Sequence, residues 1–218
     1  MTTARITRND RKYDHHGSTL VCRNTWTHAP LSASQDGHDL CVTAVEGSDA
    51  WRTTTYGFVH DSEHALIAPF ALDSAMEVEF TASFSHQFDQ AGIFIRVSSE
   101  RSVKAGVEFA GVRPQIGAVV TDGLSDWSLA PAPDWAGQRI LMRVSRSGDA
   151  LTIRAERSDY DDLQLIRVVP FEPELVAFAG PYACAPTRAG LTVRFHSWRS
   201  GQPDLSHHET DECSADPW

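Results

Sequence analysis

Residues 103–110, Val-Lys-Ala-Gly-Val-Glu-Phe-Ala, decide the fold. Val103, Ala105, Val107 and Phe109 alternate with Lys104, Gly106, Glu108 and Ala110, and a period of two sends the two sets to opposite faces of an extended chain. The pattern repeats on both sides. Met76, Val78 and Phe80 alternate with Glu77 and Glu79, and Ile93, Ile95 and Val97 with Phe94 and Arg96. Ile140, Met142 and Val144, then Leu151, Ile153 and Ala155, then Leu191, Val193 and Phe195 continue it. Turn residues separate the runs: Gly111, Asp122-Gly123, Gly148-Asp149 and the Asp159–Asp162 stretch. No long amphipathic helix interrupts them. Many short strands at roughly 10-residue spacing without helices predict an all-β protein, an antiparallel two-sheet β-sandwich.

The chain has 218 residues, enough for one sandwich domain, and 29 acidic against 19 basic residues give a net charge of -10. That balance repels phosphate backbones and anionic lipid, so neither nucleic acid nor a membrane is an expected partner. No run approaches the ~20 apolar residues of a membrane helix, and the charged head lacks the apolar stretch of a secretion signal. Cys22, Cys41, Cys184 and Cys213 follow no C-x-x-C spacing and read as reduced thiols, so the expected compartment is cytoplasmic. The head, residues 1–21, and the acidic tail, residues 200–218, carry no strand pattern; the tail is expected to be disordered.

Lys104 and Glu108 project from the same face of one strand, about 13 Å apart at ~3.4 Å per residue. Each therefore needs another partner: a cross-strand charge such as Arg96, or a polar ligand lying between them. Gly106 sits between them, where an interior glycine marks close approach of a ring or ligand to the backbone. The trio reads as two polar walls and the floor of a cleft; the alternative is a solvated sheet face with a bulge. Only Lys12 and Lys104 are lysine among the 19 basic residues, which hints at a particular demand for an ammonium at Lys104.

Further candidates surround this strand. Gln90, Gly92, Phe94 and Arg96 share one alternation face, which points Gln90 at the cleft and Arg96 toward Glu108, while Asp89 reads as a loop clamp. In Ser125-Asp126-Trp127-Ser128, Trp127 suits stacking on a sugar ring with Asp126 accepting its hydroxyl protons; equally, Trp127 caps the core and Asp126 bonds to turn amides. Trp51, Arg52, Thr55, Tyr56 and His64 are candidates for the rim, although alternation sends Trp51, Thr53 and Thr55 to one side and Arg52, Thr54 and Tyr56 to the other, so the whole set cannot point into one site. His64 beside Glu63 reads more simply as a satisfied surface histidine than as a base.

No G-x-S-x-G elbow, phosphate loop, dinucleotide fingerprint or H-E-x-x-H helix occurs. No catalytic residue, cofactor or metal is assigned. His15-His16 and His207-His208 lie in the ends, and Asp159, Asp161 and Asp162 offer calcium-type oxygens but read as a solvated hairpin turn.

Five segments together resemble a known family. They are Asp49–Phe58 followed by His64, Asp89–Gly92, Lys104–Glu108, Val119–Thr121 leading into Ser125–Ser128, and Gly180–Pro186. Their order and spacing over residues 22–199 resemble the domain-of-unknown-function family 1349 of the concanavalin A-like lectin/glucanase superfamily, with Ala185 standing where that family usually has serine. The resemblance implies a jelly roll. Its fungal members include one named as a regulator of enolase, which implies a metabolic-enzyme partner. The glucanases of the superfamily carry E-x-D-x-x-E; here Glu79 replaces the aspartate and Ala82 the last glutamate, so Glu77 and Glu79 read as a solvated face. The expectation is a non-catalytic module binding a sugar or polyol, with a protein-interaction domain and a carbohydrate-active hydrolase using Glu108 as alternatives.

Overall fold

The computed structural model describes residues 24–157 and 162–204. In chain order the strands are β1 (Thr25–Trp26), β2 (Ser32–Asp36), β3 (Asp39–Thr43), β4 (Ala50–Arg52), β5 (Val59–Asp61), β6 (His64–Pro69), β7 (Ser74–Ala82) and β8 (Gln90–Arg96). There follow β9 (Arg101–Ala110), β10 (Arg113–Asp122), β11 (Leu124–Pro131), β12 (Ile140–Ser147), β13 (Ala150–Arg157), β14 (Gln164–Pro170), β15 (Phe178–Cys184) and β16 (Thr192–Gly201). One sheet runs β1-β6-β15-β8-β9-β10-β11 and the other β14-β13-β12-β7-β16-β3-β2, while β4 and β5 form a separate hairpin. The paired strands of both sheets are antiparallel, and the protein is a concanavalin A-like jelly roll.

The apolar set of each alternation meets in the middle. Ile93, Ile95, Val103, Ala105 and Val107 of the first sheet pack with Val78, Phe80, Ile140, Met142, Ile153 and Val193 of the second. Burying a side chain of this size is worth about 1.5–3 kcal/mol, which is why the register cannot slip by one residue. Gly123 takes φ 72° at the β10–β11 hairpin, a left-handed turn that favours glycine.

The outer face of the second sheet is not merely solvated, as Glu77 and Glu79 suggested. Glu77 Oε1 accepts from Arg143 at 2.6 Å, its other oxygen pairs with Arg199, and Arg139 holds Glu79. Strand β16 runs to Gly201, and Asp204 bridges Arg143 at 2.8 Å and Arg154 at 3.2 Å, so residues 200–204 pack with the sheet. The head, the rest of the tail, the four end histidines, Cys22, Cys213, Asp159 and Asp161 lie outside the described residues. Cys41 and Cys184 are free thiols. Among the described residues no helix is long and apolar enough to cross a membrane.

Candidate functional site

The outer face of the first sheet carries the polar set of the alternation, and the register places that set in rows. Trp127, Val119, Lys104 and Phe94 form one row across β11, β10, β9 and β8. Gln115, Glu108, Gln90 and Cys184 form another, across β10, β9, β8 and β15. Over these rows folds the β4–β5 hairpin, and between them opens a cavity of about 330 Å³ lined by Asp49, Trp51, Tyr56, Phe58, His60, Phe88, Gln90, Lys104, Glu108 and Trp127, with Pro186 and Thr187 on its remaining side.

The wall of this cavity is a chain of rings. Tyr56 stacks on Phe58 with 5.4 Å between centroids, and Trp51 meets Tyr56 edge-on at 5.5 Å. Trp127 then takes Trp51 edge-on at 6.0 Å and Phe88 at 6.3 Å. Strained backbone shapes the wall. Thr53, Thr55 and Phe88 have φ of 63°, 65° and 68°, a left-handed region costly for β-branched and bulky residues, and such strain gathers at ligand clamps. The hairpin is nonetheless anchored: the Arg52 amide donates to Ser125 Oγ at 2.9 Å and its guanidinium to Glu100 at 2.9 Å.

The floor is polar and mostly buried. Asp49 Oδ1 is its hub, accepting from Lys104 Nζ at 2.5 Å, Gln90 Nε2 at 3.2 Å and the Ala50 amide at 2.8 Å. Burial alone would pull the Lys104 pKa down, but Asp49, with Glu108 adding to it, outweighs the burial and holds the ammonium above its usual value. Burial also pushes the Cys184 thiol well up, so it stays protonated. Glu108, 7% exposed, is raised from 4.5 to about 7 by burial, with Lys104 opposing and Asp49 adding to the shift. Three side chains of this cavity hold a buried polar atom without a hydrogen-bond partner: Gln90 Oε1, Glu108 Oε1 and Trp127 Nε1. Such groups ordinarily find partners when buried, so three at one cavity call for an explanation.

Of the residues singled out in the sequence, the structure gathers Lys104, Glu108, Gln90, Trp127, Trp51 and Tyr56 at the cavity. Gly106 shares their face but is no open floor. A Cβ there would lie 2.1 Å from the Ala91 carbonyl oxygen, and one at Gly92 2.1 Å from that of Ala105, so the glycines permit close strand contact. Tyr182 lies in the same row and shares with Gly106 and Gly117 a crevice of only about 10 Å³.

Arg96 does not meet Glu108. It stands opposite Ser102, at the far end of β8, and binds Asp61 at 2.8 Å and Glu63 at 2.8 Å. Asp126 is separated from Trp127 by the pleat itself, because Ser125–Ser128 is strand and not loop: Asp126 faces away and pairs with Arg167 at 2.8 Å. His64 sits opposite Ala183, which pairs with Ala91 and Val107 of the core face, so its ring lies on the other side of the sheet. Neither is it a surface residue: it is buried, and its Nε2 accepts from the Val45 amide at 3.0 Å. Burial pulls its pKa down. Asp89 is the loop clamp expected of it, holding Arg188 at 2.7 Å and the amides of Ser85 and His86.

The sequence reading missed Asp49, Phe58, His60 and Phe88. A signal existed for Asp49, in the segment that opens the first block of the family resemblance. Its role shows only when β4 is laid over β9.

The likeness to known proteins agrees with this architecture. The chain is 33% identical over 186 residues to the Saccharomyces cerevisiae protein named "Regulation of enolase protein 1", covering 85% of this chain and 93% of that one. A crystal structure of a functionally unknown protein from Saccharomyces cerevisiae superposes with a TM-score of 0.78 at 32% identity, over 83% of this chain and 97% of that chain. A xylan β-1,4-xylosidase from Bacillus halodurans shares the fold alone, with a TM-score of 0.59 at 12% identity, over 77% of this chain and 33% of that chain. The family model described as "Protein of unknown function (DUF1349)" matches residues 26–203, and the chain belongs to that family.

Proposed function

We propose that the chain is a non-catalytic binding module whose aromatic-walled cavity takes a sugar or small polyol. One observation carries this reading: rings of Trp51, Tyr56, Phe58, Phe88 and Trp127 surround a floor of Asp49, Gln90, Lys104 and Glu108 in a cavity of about 330 Å³. Apolar walls with a few convergent polar groups characterise small-molecule sites, and aromatic faces suit the C–H faces of a sugar while carboxylates and amides take its hydroxyls. Asp49 supplies the second carboxylate that a hydrolase would need, but its Oδ1 is committed to Lys104, Gln90 and the Ala50 amide, which fits a counter-ion better than an acid or nucleophile. We read the protein as cytoplasmic, a reading that the free Cys41 and Cys184 support.

A second reading has its own support in the name of the yeast relative, which speaks of enolase regulation. In that reading the half-exposed Tyr56, Phe58 and Val59 at the hairpin tip form part of a contact with a metabolic enzyme. A thermal-shift screen separates the two. Neutral sugars and polyols should raise the melting temperature by ligand linkage, with no turnover of aryl glycosides. Silence across the panel together with a stoichiometric complex with enolase would replace the first reading by the second.

A further inference from the structure

The three unpaired atoms have a definite polarity. Gln90 Oε1 and Glu108 Oε1 are acceptors, and Trp127 Nε1 is only a donor. The amide orientation of Gln90 follows from its two donated bonds, to Asp49 Oδ1 at 3.2 Å and Phe88 O at 3.2 Å, which leave the oxygen free. Gln90 and Glu108 are direct cross-strand partners, so their side chains leave adjacent strands about 5 Å apart at Cβ. A ligand that satisfies them must bring two proton donors side by side at one end and an acceptor at the Trp127 end. One water can bridge the two acceptors, but a vicinal diol on a ring satisfies the pair and also brings a further oxygen to Trp127 Nε1 and a C–H face to the aromatic wall. An anionic group at the Gln90–Glu108 end meets two acceptors, one of them a carboxylate, with the nearest ammonium already turned to Asp49.

We propose that the cavity selects a neutral polyol, one whose adjacent hydroxyls donate to Gln90 Oε1 and Glu108 Oε1 while a third ligand oxygen accepts from Trp127 Nε1, and that it rejects phosphorylated and carboxylated sugars. This rests on the reading of the cavity as a sugar site.

The test is calorimetric titration of the purified chain with D-xylose, D-glucose and myo-inositol, alongside glucose 6-phosphate, glucuronate and the 2-deoxy and 3-deoxy analogues of glucose. Binding of a neutral member is expected. Loss of one hydroxyl from the donating pair should weaken it at least about tenfold, the usual consequence of leaving a buried acceptor unpaired. Glu108→Gln should weaken it similarly. Trp127→Phe, which keeps a ring and removes only the donor, should do the same and serves if the glutamine variant does not fold. Neutral sugars binding no better than glucuronate or glucose 6-phosphate, or deoxy analogues binding unchanged, would overturn the donor–acceptor assignment and leave the sugar-site reading standing. No binding by any member would remove both.

Discussion

Lys104 Nζ sits 2.5 Å from Asp49 Oδ1, joining the middle of β9 to the start of the β4–β5 hairpin across 55 residues of chain. The lysine is 4% exposed, so its charge is tolerable only beside that carboxylate. The pair therefore does two jobs: it seats the aromatic hairpin over the sheet, and it leaves Glu108 as the unpaired acid of the cavity.

Asp49→Ala should destabilise the protein by about 3–5 kcal/mol, because it strands a buried ammonium. Chemical denaturation measures this. The double variant Asp49→Ala/Lys104→Met should recover most of the loss, since it removes both charges; a strictly additive double variant would contradict the pairing.

Glu108 titrates near 7 in the folded protein against 4.5 for a free glutamate. Between those values the folded state binds more protons than the unfolded one, so stability is greatest below the lower value. It declines as pH rises and levels off above the upper one, by roughly 3 kcal/mol in all. Melting curves from about pH 5 to pH 8 should show this decline, and Glu108→Gln should flatten it. A ligand hydroxyl donating to Glu108 favours its ionised form, so affinity should rise with pH through the same range.

Arg96→Met should cost about 3 kcal/mol or more, because Glu63 is fully buried behind it and its Oε2 has no hydrogen bond, with only His28 facing it at 4.0 Å. Sugar affinity at the cavity should fall less than it does in Trp127→Phe, since Arg96 stands at the other end of β8 and reaches the cavity only through Asp61 at the end of the β4–β5 hairpin. Equal damage to binding would return Arg96 to the site.

Gly106→Ala brings a methyl to 2.1 Å from a backbone carbonyl, a contact that no rotamer change relieves. A loss of more than about 2 kcal/mol is expected from the forced strand shift. Thermal melting checks it, and an unchanged melting temperature would show that the strands have slack there.

The sandwich and one face of the site were legible in residues 103–110, because a period of two is a local property of the chain. The same parity put Gln90 with Lys104 and Glu108 correctly. It would also have parted Asp126 from Trp127 had Ser125–Ser128 been taken as strand; the Asp122-Gly123 turn obscured this, since β11 starts immediately after it. Parity failed for Tyr56 because β4 ends at Arg52, and left-handed Thr53 and Thr55 turn the chain so that Trp51 and Tyr56 face the same space. Arg96 showed a different gap: sharing a face says nothing about distance along it, and six residues of strand span about 20 Å. The pairing of Asp49 with Lys104 was out of reach, because it is set by how the hairpin folds over the sheet, a tertiary fact with no local pattern.

The most direct measurement is the nuclear magnetic resonance of the tryptophan indole protons during titration with a neutral sugar. The Trp127 signal, assigned by its disappearance in Trp127→Phe, should move downfield and saturate, with Trp51 following and Trp135 and Trp198 still. Saturable binding that leaves Trp127 unmoved, or that moves Trp198 in its place, would contradict the cavity as the site.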